Sequence, residues 1–340
     1  MRNDTRLKFN EYLSRLAALN NVSVDAVTSK FAAIPSVQQK LESKIQESSS
    51  FLSSINTYLV DEQEGEKIGL GVGGPIASRT NTTTGDRQTR DVSALDDSKY
   101  RCEQTNYDTH IRYATLDAWA KFPDFQLRLS NMIIQRIALD RIMIGFNGTS
   151  AAAATNITTN PLLQDVNIGW LQKIRTKAPA RWMKETDPAS NKVSVGGASD
   201  EYKNIDALVF DVVSSMIDPW YRNDTQLVAI VGRKLMSDKY FPLVNKDQAP
   251  TEQLASDIII GQKRIGNQTA LQVPYFPDNA ILITRLDNIS VYAQSGTQRR
   301  SVIDNPKRDR IETYQSSNDA FELEDYGCAA LIENIEVATV

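Results

Sequence analysis

The stretch "KFPDFQLRLSNMIIQRIALDRIMIGFNG", residues 121–148, carries the strongest helical signal in the chain. Pro123 suits a first helical turn, where its missing N–H leaves no bond unmade, and Gly148 suits the stop. A helix between them would be about 34 Å long at 1.5 Å per residue. Phe125, Leu129, Ile133, Ile137 and Ile144 recur on one stripe, and Leu139, Ile142, Met143 and Phe146 widen it. Asp124 with Arg128, and Arg136 with Asp140, stand four apart on the remaining strip, where opposite charges meet across a turn. A helix apolar over so much of its girth predicts a spine on which other elements rest.

Before it, the first fifty residues read as helices with narrow apolar stripes. Asp4 is placed to cap a helix bearing Phe9, Tyr12, Leu13, Leu16 and Leu19, which Asn20 and Asn21 end. Ser23 opens a shorter one through Val24, Val27 and Phe31. Pro35 and Ser36 open a third, with Gln39 placed for a capping box and Val37, Leu41 and Ile45 at four-residue steps. Such stripes fit an arm that needs a partner, and equally an arm lying on the chain's own body. Residues 53–113 then turn β-prone at both ends with Gly, Thr, Asn and Asp between, the pattern of a long strand pair with a mobile tip. That element has too few apolar residues for a core of its own, so it persists if something outside the chain covers it.

After the spine, the low-complexity "GTSAAAATNITTN" leads into an alternating region. "DVNIGWLQKIRTKAP", "IDALVFDVVSSMI" and "RKLMSDKYFPLVN" read as helices, the last kinked or ended at Pro242. A polar loop spans 185–203. "QLVAIVG", "ALQVPYF", "AILITRL" and "ISVYAQ" read as strands, and the C-terminal portion as a strand pair closing on "CAALI". The class is α+β, a mixed α/β chain, and no internal repeat is visible.

At 340 residues the chain can hold two cores, and 41% hydrophobic with 24% charged residues is ordinary for a folded soluble protein. A net charge of −4 argues against a surface that coats nucleic acid. The two cysteines, Cys102 and Cys328, make no disulfide framework and read as free thiols of a cytoplasmic product. No secretion signal and no run of the roughly 20 apolar residues that cross a bilayer is present, so no membrane association is expected.

Chemistry is mostly excluded. Gly69, Gly71 and Gly74 in "KIGLGVGGPIASRT" match a dinucleotide fingerprint, but Pro75 follows and no helical pattern opens after it. Upstream, "DEQEGEK" interrupts the strand that should lead in. These glycines read as strand flexibility or close packing, and an oxidoreductase using them is the reading set aside. His110 is the only histidine and has no nucleophile signature beside it, and one histidine with two distant cysteines makes no zinc set of usual spacing. No catalytic residue, cofactor or metal is expected. The basic clusters at 298–300 and 307–310, with Lys263 and Arg264, are short and diluted by acids, and read as solvated or salt-bridging faces. What remains is incompleteness, because elements that bury little within one chain are explained when copies of it cover them.

Several phrases together resemble one family. They are "ESSSFLSSIN" (47–56), "GEKIGLGVGGPIASRT" (65–80), "FQLRLSNMIIQR" (125–136), "GFNGT" (145–149), "NPLLQDVNIGWLQKIRTKAPARW" (160–182), "VAIVGRKLMSDKYFPLVNK" (228–246), "IIIGQKRIGN" (258–267), "VPYFP" (273–277) and "NPKRDRIETYQSSNDAFELEDYG" (305–327). The family is the major capsid proteins of P-two-like tailed bacteriophages, with the Hong Kong 97-type shell fold. The resemblance implies an N-terminal arm at 1–52, trimmed by a maturation protease, with a candidate cut between Phe31 and Ala32. It implies an extended loop at 53–114 lying over a neighbouring subunit, with Lys67, Gly69, Gly71, Gly73, Gly74 and Arg79 in it. It implies a peripheral domain at 115–164 with the spine helix, an axial domain at 165–286, and a return to the peripheral domain at 287–340. The partners implied are the chain itself in pentamers and hexamers, a scaffolding protein, a portal protein, and packaged double-stranded DNA bound without sequence preference. The product would be assembled in the bacterial cytoplasm and reside in the virion. A nanocompartment shell of the same fold, enclosing a cargo protein, is the alternative.

Overall fold

The computed structural model describes residues 1–67, 77–87, 89, 99–119, 122, 125–244 and 263–338, with Phe125, Gln126 and residues 240–244 described by their backbone alone. The helices are α1 (Asn3–Leu19), α2 (Pro35–Glu47), α3 (Tyr113–Trp119), α4 (Phe125–Asn147), α5 (Trp170–Lys177), α6 (Ile205–Met216) and α7 (Arg233–Val244). The spine expected from 123 to 148 is α4. Pro123 lies outside the described residues, and the helix backbone begins at Phe125. Ile137 and Ile144 are buried and Leu129 and Ile133 half-buried, while Leu127 and Met132 face outward. The first half of α4 is therefore a surface helix and the second half a core helix.

Two sheets flank the helices. The long strand Arg310–Leu323 organises a seven-stranded sheet, pairing antiparallel with Arg299–Asn305 and with Ile289–Gln294, and also with Glu103–Asn106 and Thr109–Arg112. Phe31–Ala32 closes one edge and Asn56–Val60 the other, the latter running parallel to Ile289–Gln294. The six-stranded sheet follows the order Arg264–Ile265, Gln268–Leu271, Leu227–Val231, Ile281–Arg285, Ala330–Ile332, Trp182–Met183. Because Ala330–Ile332 lies in this second sheet, the last segment, 287–340, is shared between the two sheets.

Several expectations need correction. The ends of residues 53–113 do not pair with each other: Asn56–Val60 and the strands from Glu103 to Arg112 all join the seven-stranded sheet. Among the described residues of this segment, only Glu64–Glu66 and Lys99–Arg101 pair with each other, a short root. Burial explains the difference, since strands near a large sheet gain more by joining it than by pairing alone. The cap of α1 is Arg2, without a side-chain bond, and Asp4 lies inside the first turn. No capping box forms on α2, whose buried residues are Gln38, Glu42 and Ile45; of the apolar stripe expected, Ile45 is buried while Val37 and Leu41 are half-buried. "VPYF" is not strand: Pro274 has no N–H to pair and Tyr275 adopts a left-handed conformation at φ 62. Within the polar loop, Val193–Val195 is a buried strand paired with Ile335–Val337. Of the two resting places open to the arm, it takes the chain's own body, with Phe9, Leu16 and Val27 packed with Leu116, Val302 and Ile311.

The core joining α4, α5 and the seven-stranded sheet is aromatic. Trp170 meets Phe146, Phe321 and Phe51 edge-on at centroid distances of 5.1, 5.4 and 6.1 Å. A side chain at Gly145 would strike the Trp170 ring, so this glycine sets the spacing of α4 and α5. A second core lies between α6 and the six-stranded sheet, built on Leu208, Val212, Ala229 and Ile283.

Candidate functional site

Three arrangements position this subunit's working parts. At the arm junction, Phe31 stands opposite Arg300 and Ala32 opposite Arg299, on the outer edge of the sheet. The next residue, Ala33, donates its N–H to Gln298 O at 2.8 Å. Arg6 pairs with Asp304 at 2.7 Å, and Arg300 donates to the Tyr12 hydroxyl at 2.7 Å. The Arg2 N–H donates to Asp117 Oδ1 at 2.9 Å. That bond first, then one from Thr5, holds the Asp117 carboxyl below its ordinary value. A carboxyl lowered in the folded state contributes stability above about pH 3.9 and loses it as pH falls through the lowered value. Hydrogen-exchange protection of α1 should therefore hold from neutral pH to about 5 and weaken below about 4. Asp117→Asn should remove that acid step; an unchanged step in the variant would rule out Asp117 as its origin.

The loop root is pinned inside the chain. Lys67, expected within the inter-subunit loop, is buried within the chain, with its ammonium on Leu323 O and 3.2 Å from Glu322 Oε2. Glu322 also takes Lys173. The short root pair is laced by Arg101 with Glu64 at 2.9 Å and Lys99 with Glu66 at 3.6 Å. Arg79 is exposed, whereas Gly69, Gly71, Gly73 and Gly74 lie outside the described residues. Beneath the root, burial first and then Asp319 push the Cys102 thiol up to about 12, so it stays protonated and unreactive at neutral pH.

The third arrangement escaped the sequence reading. Arg141 of α4 is fully enclosed and bridges two carboxylates. It reaches Glu42 of α2 at 2.5 and 3.1 Å and Asp319 of the long strand at 3.0 and 3.2 Å. Asp319 also accepts from Ser317 at 3.0 Å and Tyr107 at 3.3 Å, and its backbone carbonyl accepts from Asn167 at 2.8 Å. Burial lowers the affinity of Arg141 for its proton, but Asp319 and Glu42 outweigh it and hold the guanidinium charged. Burial pushes Asp319 up against the pull of Arg141. The signal was present in the spacing: Arg141 follows Ile134 and Ile137 and precedes Ile144 on the buried side of α4, where an ionisable group must have partners. Nearby, Gln38 clasps the 294–296 turn, donating to Gln294 O and accepting from Gly296 N–H, both at 2.8 Å.

These arrangements fasten; they do not assemble a reacting centre. His110 is exposed on the strand Thr109–Arg112, opposite Glu312. Among the described residues no group of three His, Cys, Asp or Glu is placed to hold a metal ion, and no helix is long and apolar enough to cross a membrane.

The architecture is that of phage capsid proteins. The capsid of the empty GTA particle superposes with a TM-score of 0.52 at 15% identity, over 85% of this chain and 90% of that one, a likeness of fold alone. A chain of the satellite phage P4 procapsid, solved with its size determination (Sid) protein, superposes with a TM-score of 0.82 at 49% identity over 99% of both chains. The "Capsid proteins" of Escherichia phage P2 are 52% identical over 99% of this chain and 96% of theirs. The "Major capsid protein" of Serratia phage KSP20 is 44% identical over 99% of this chain and 98% of its own. Residues 8–335 match the family described as "Phage major capsid protein, P2 family". The chain belongs to that family of structural capsid proteins.

Proposed function

We propose that this chain is the repeating subunit of an icosahedral phage head, closing into pentamers and hexamers around double-stranded DNA. The observation that carries the reading is the correspondence, over essentially the whole chain, with a subunit of a procapsid. Contacts in such rings are head to tail, each subunit offering one face to the next. The six-stranded lobe would be the axial part, and exposed Phe210 and Trp220 on it are apolar surface that ring contacts would cover. The seven-stranded lobe with α4 would be the peripheral part, and the loop leaving the pinned root would lie over a neighbour. A scaffolding protein and a portal would guide assembly in the bacterial cytoplasm, and a protease would cut between Phe31 and Ala32. That bond lies in an extended edge strand, the conformation a protease cleft accepts. Expansion would be a population shift between lattice states, with the subunit core moving as one piece.

Negative-stain microscopy of the expressed chain with a scaffolding partner tests the reading. Closed shells are expected from the unaltered chain, and a chain lacking residues 71–85 should fold as a subunit yet form none. Normal shells from the deletion would remove the role given to the loop. The intact mass of the shell subunit reports the cut, and an untrimmed chain in mature, DNA-filled particles would exclude it.

A further inference from the structure

Both ends of the arm dock on one strand, Arg299–Asn305. From α1, Arg6 pairs with Asp304 at 2.7 Å, and the Tyr12 hydroxyl accepts from Arg300 at 2.7 Å. From the far end of the arm, Phe31 and Ala32 stand opposite Arg300 and Arg299. Between these points Val27 has no exposed surface and shares one apolar cluster with Phe9, Leu16 and Val302. The strand at the candidate cut has only two residues, and just beyond it the Ala33 N–H is held by Gln298 O at 2.8 Å. So short a strand gains little from its own pairing and stays in place through what packs around it.

A protease takes its substrate as an added strand. The conformation at Phe31–Ala32 suits that, but the chain on both sides of the bond is engaged, at Val27 and at Ala33. These partners have to be given up before a cleft closes on the bond.

We propose that docking of α1 locks the Phe31–Ala32 bond: the arm leaves the body as one unit, and the bond is cut only in that released state. The inference rests on the reading of this bond as the maturation cut and adds what controls it. Asp304 holds the distant end of the lock, taking Arg6 on one carboxylate oxygen and the Tyr113 hydroxyl on the other. In the released arm, hydrolysis adds one water across the bond, leaving a carboxylate on Phe31 and an ammonium on Ala32. Where opening and closing outpace cleavage, the cutting rate follows the population of the open arm. A change in α1 therefore alters cutting at a bond far along the chain.

Chymotrypsin, whose specificity pocket is a hydrophobic slot, probes the bond without the cognate protease. The lock and the identity of the natural cut thus fail separately, the second being read from the mass of the shell subunit. On the full chain, the new amino terminus at Ala32 should appear at least about a hundredfold more slowly than on a peptide of residues 26–37. Arg6→Ala should raise that initial rate about two- to fivefold, and Phe9→Ala more than about tenfold. Cutting after Phe321, in the other core, should stay unchanged in both variants. A full chain cut as fast as the peptide, a rate unmoved by both substitutions, or an equal rise at Phe321 overturns the proposal. If Phe9→Ala does not fold, hydrogen exchange on the unaltered chain decides. The slowest amides of α1 and the Ala33 amide should share one opening equilibrium, and an Ala33 amide that opens independently of α1 refutes the lock.

Discussion

Replacing Arg141 with leucine lowers the free energy of unfolding by about 3–5 kcal/mol, the cost of leaving buried charges unpaired. Glu42 and Asp319 would then share a dry space with no cation between them. Each belongs to a different element, so the loss falls on the docking of α2, α4 and the long strand together. The defect should depend on pH in a definite sense. A carboxyl raised in the folded state takes up its proton more readily than in the unfolded chain, so the penalty is present above the raised value and shrinks as pH falls through it. Urea unfolding of Arg141→Leu should thus show a smaller deficit near pH 5 than at pH 7, relative to the unaltered chain. Adding Glu42→Gln and Asp319→Asn should recover much of the loss, since no buried charge is then left without a partner. A single-variant loss below about 1 kcal/mol, the scale of an exposed pair, would mean that the network does not fasten these elements.

The second large effect is expected at Trp170. Truncation to alanine costs about 3–5 kcal/mol, because a buried ring is lost and the space cannot collapse around it. Three aromatic rings lean on this indole, and its N–H donates to Ser290 O at 3.0 Å. Trp170→Phe keeps most of the ring contacts and should lose clearly less. Guanidinium unfolding compares the two, and equal losses would show that the indole N–H, absent from both variants, dominates over the packing.

Much of this architecture was legible from periodicity. The helices at 205–216 and 233–244 and the strands at 227–231, 281–285 and 289–294 follow the apolar spacing nearly to the residue. Apolar patterning works there because α6 buries one face, while the three strands are buried on both faces and read as continuous apolar runs. It fails on α2, where the buried face carries Gln38 and Glu42, polar groups whose partners sit more than 90 residues away in sequence. It fails likewise for Val193–Val195, three residues whose burial depends on a strand near the C-terminus. The short helix α3 was missed because Tyr113–Trp119 is too brief to show a period. The arm's resting place was left open between two surfaces, and no local signal distinguishes the chain's own sheet from a neighbour's.

The long strand Arg310–Leu323 has a consequence for how subunits come into being. Its partners include Glu103–Asn106 and Thr109–Arg112, and it stands beside Ile289–Gln294, which in turn receives Asn56–Val60. A ribosome therefore releases residues 56–60 and 103–112 well before the member that joins them, and the sheet stays open until residue 323 has emerged. Interrupted synthesis leaves fragments with exposed strand edges and no completed core, material for chaperones and proteases. Late delivery of the central strand would act as a proofreading step, keeping polypeptides that stop short of residue 323 out of the pool from which particles are built.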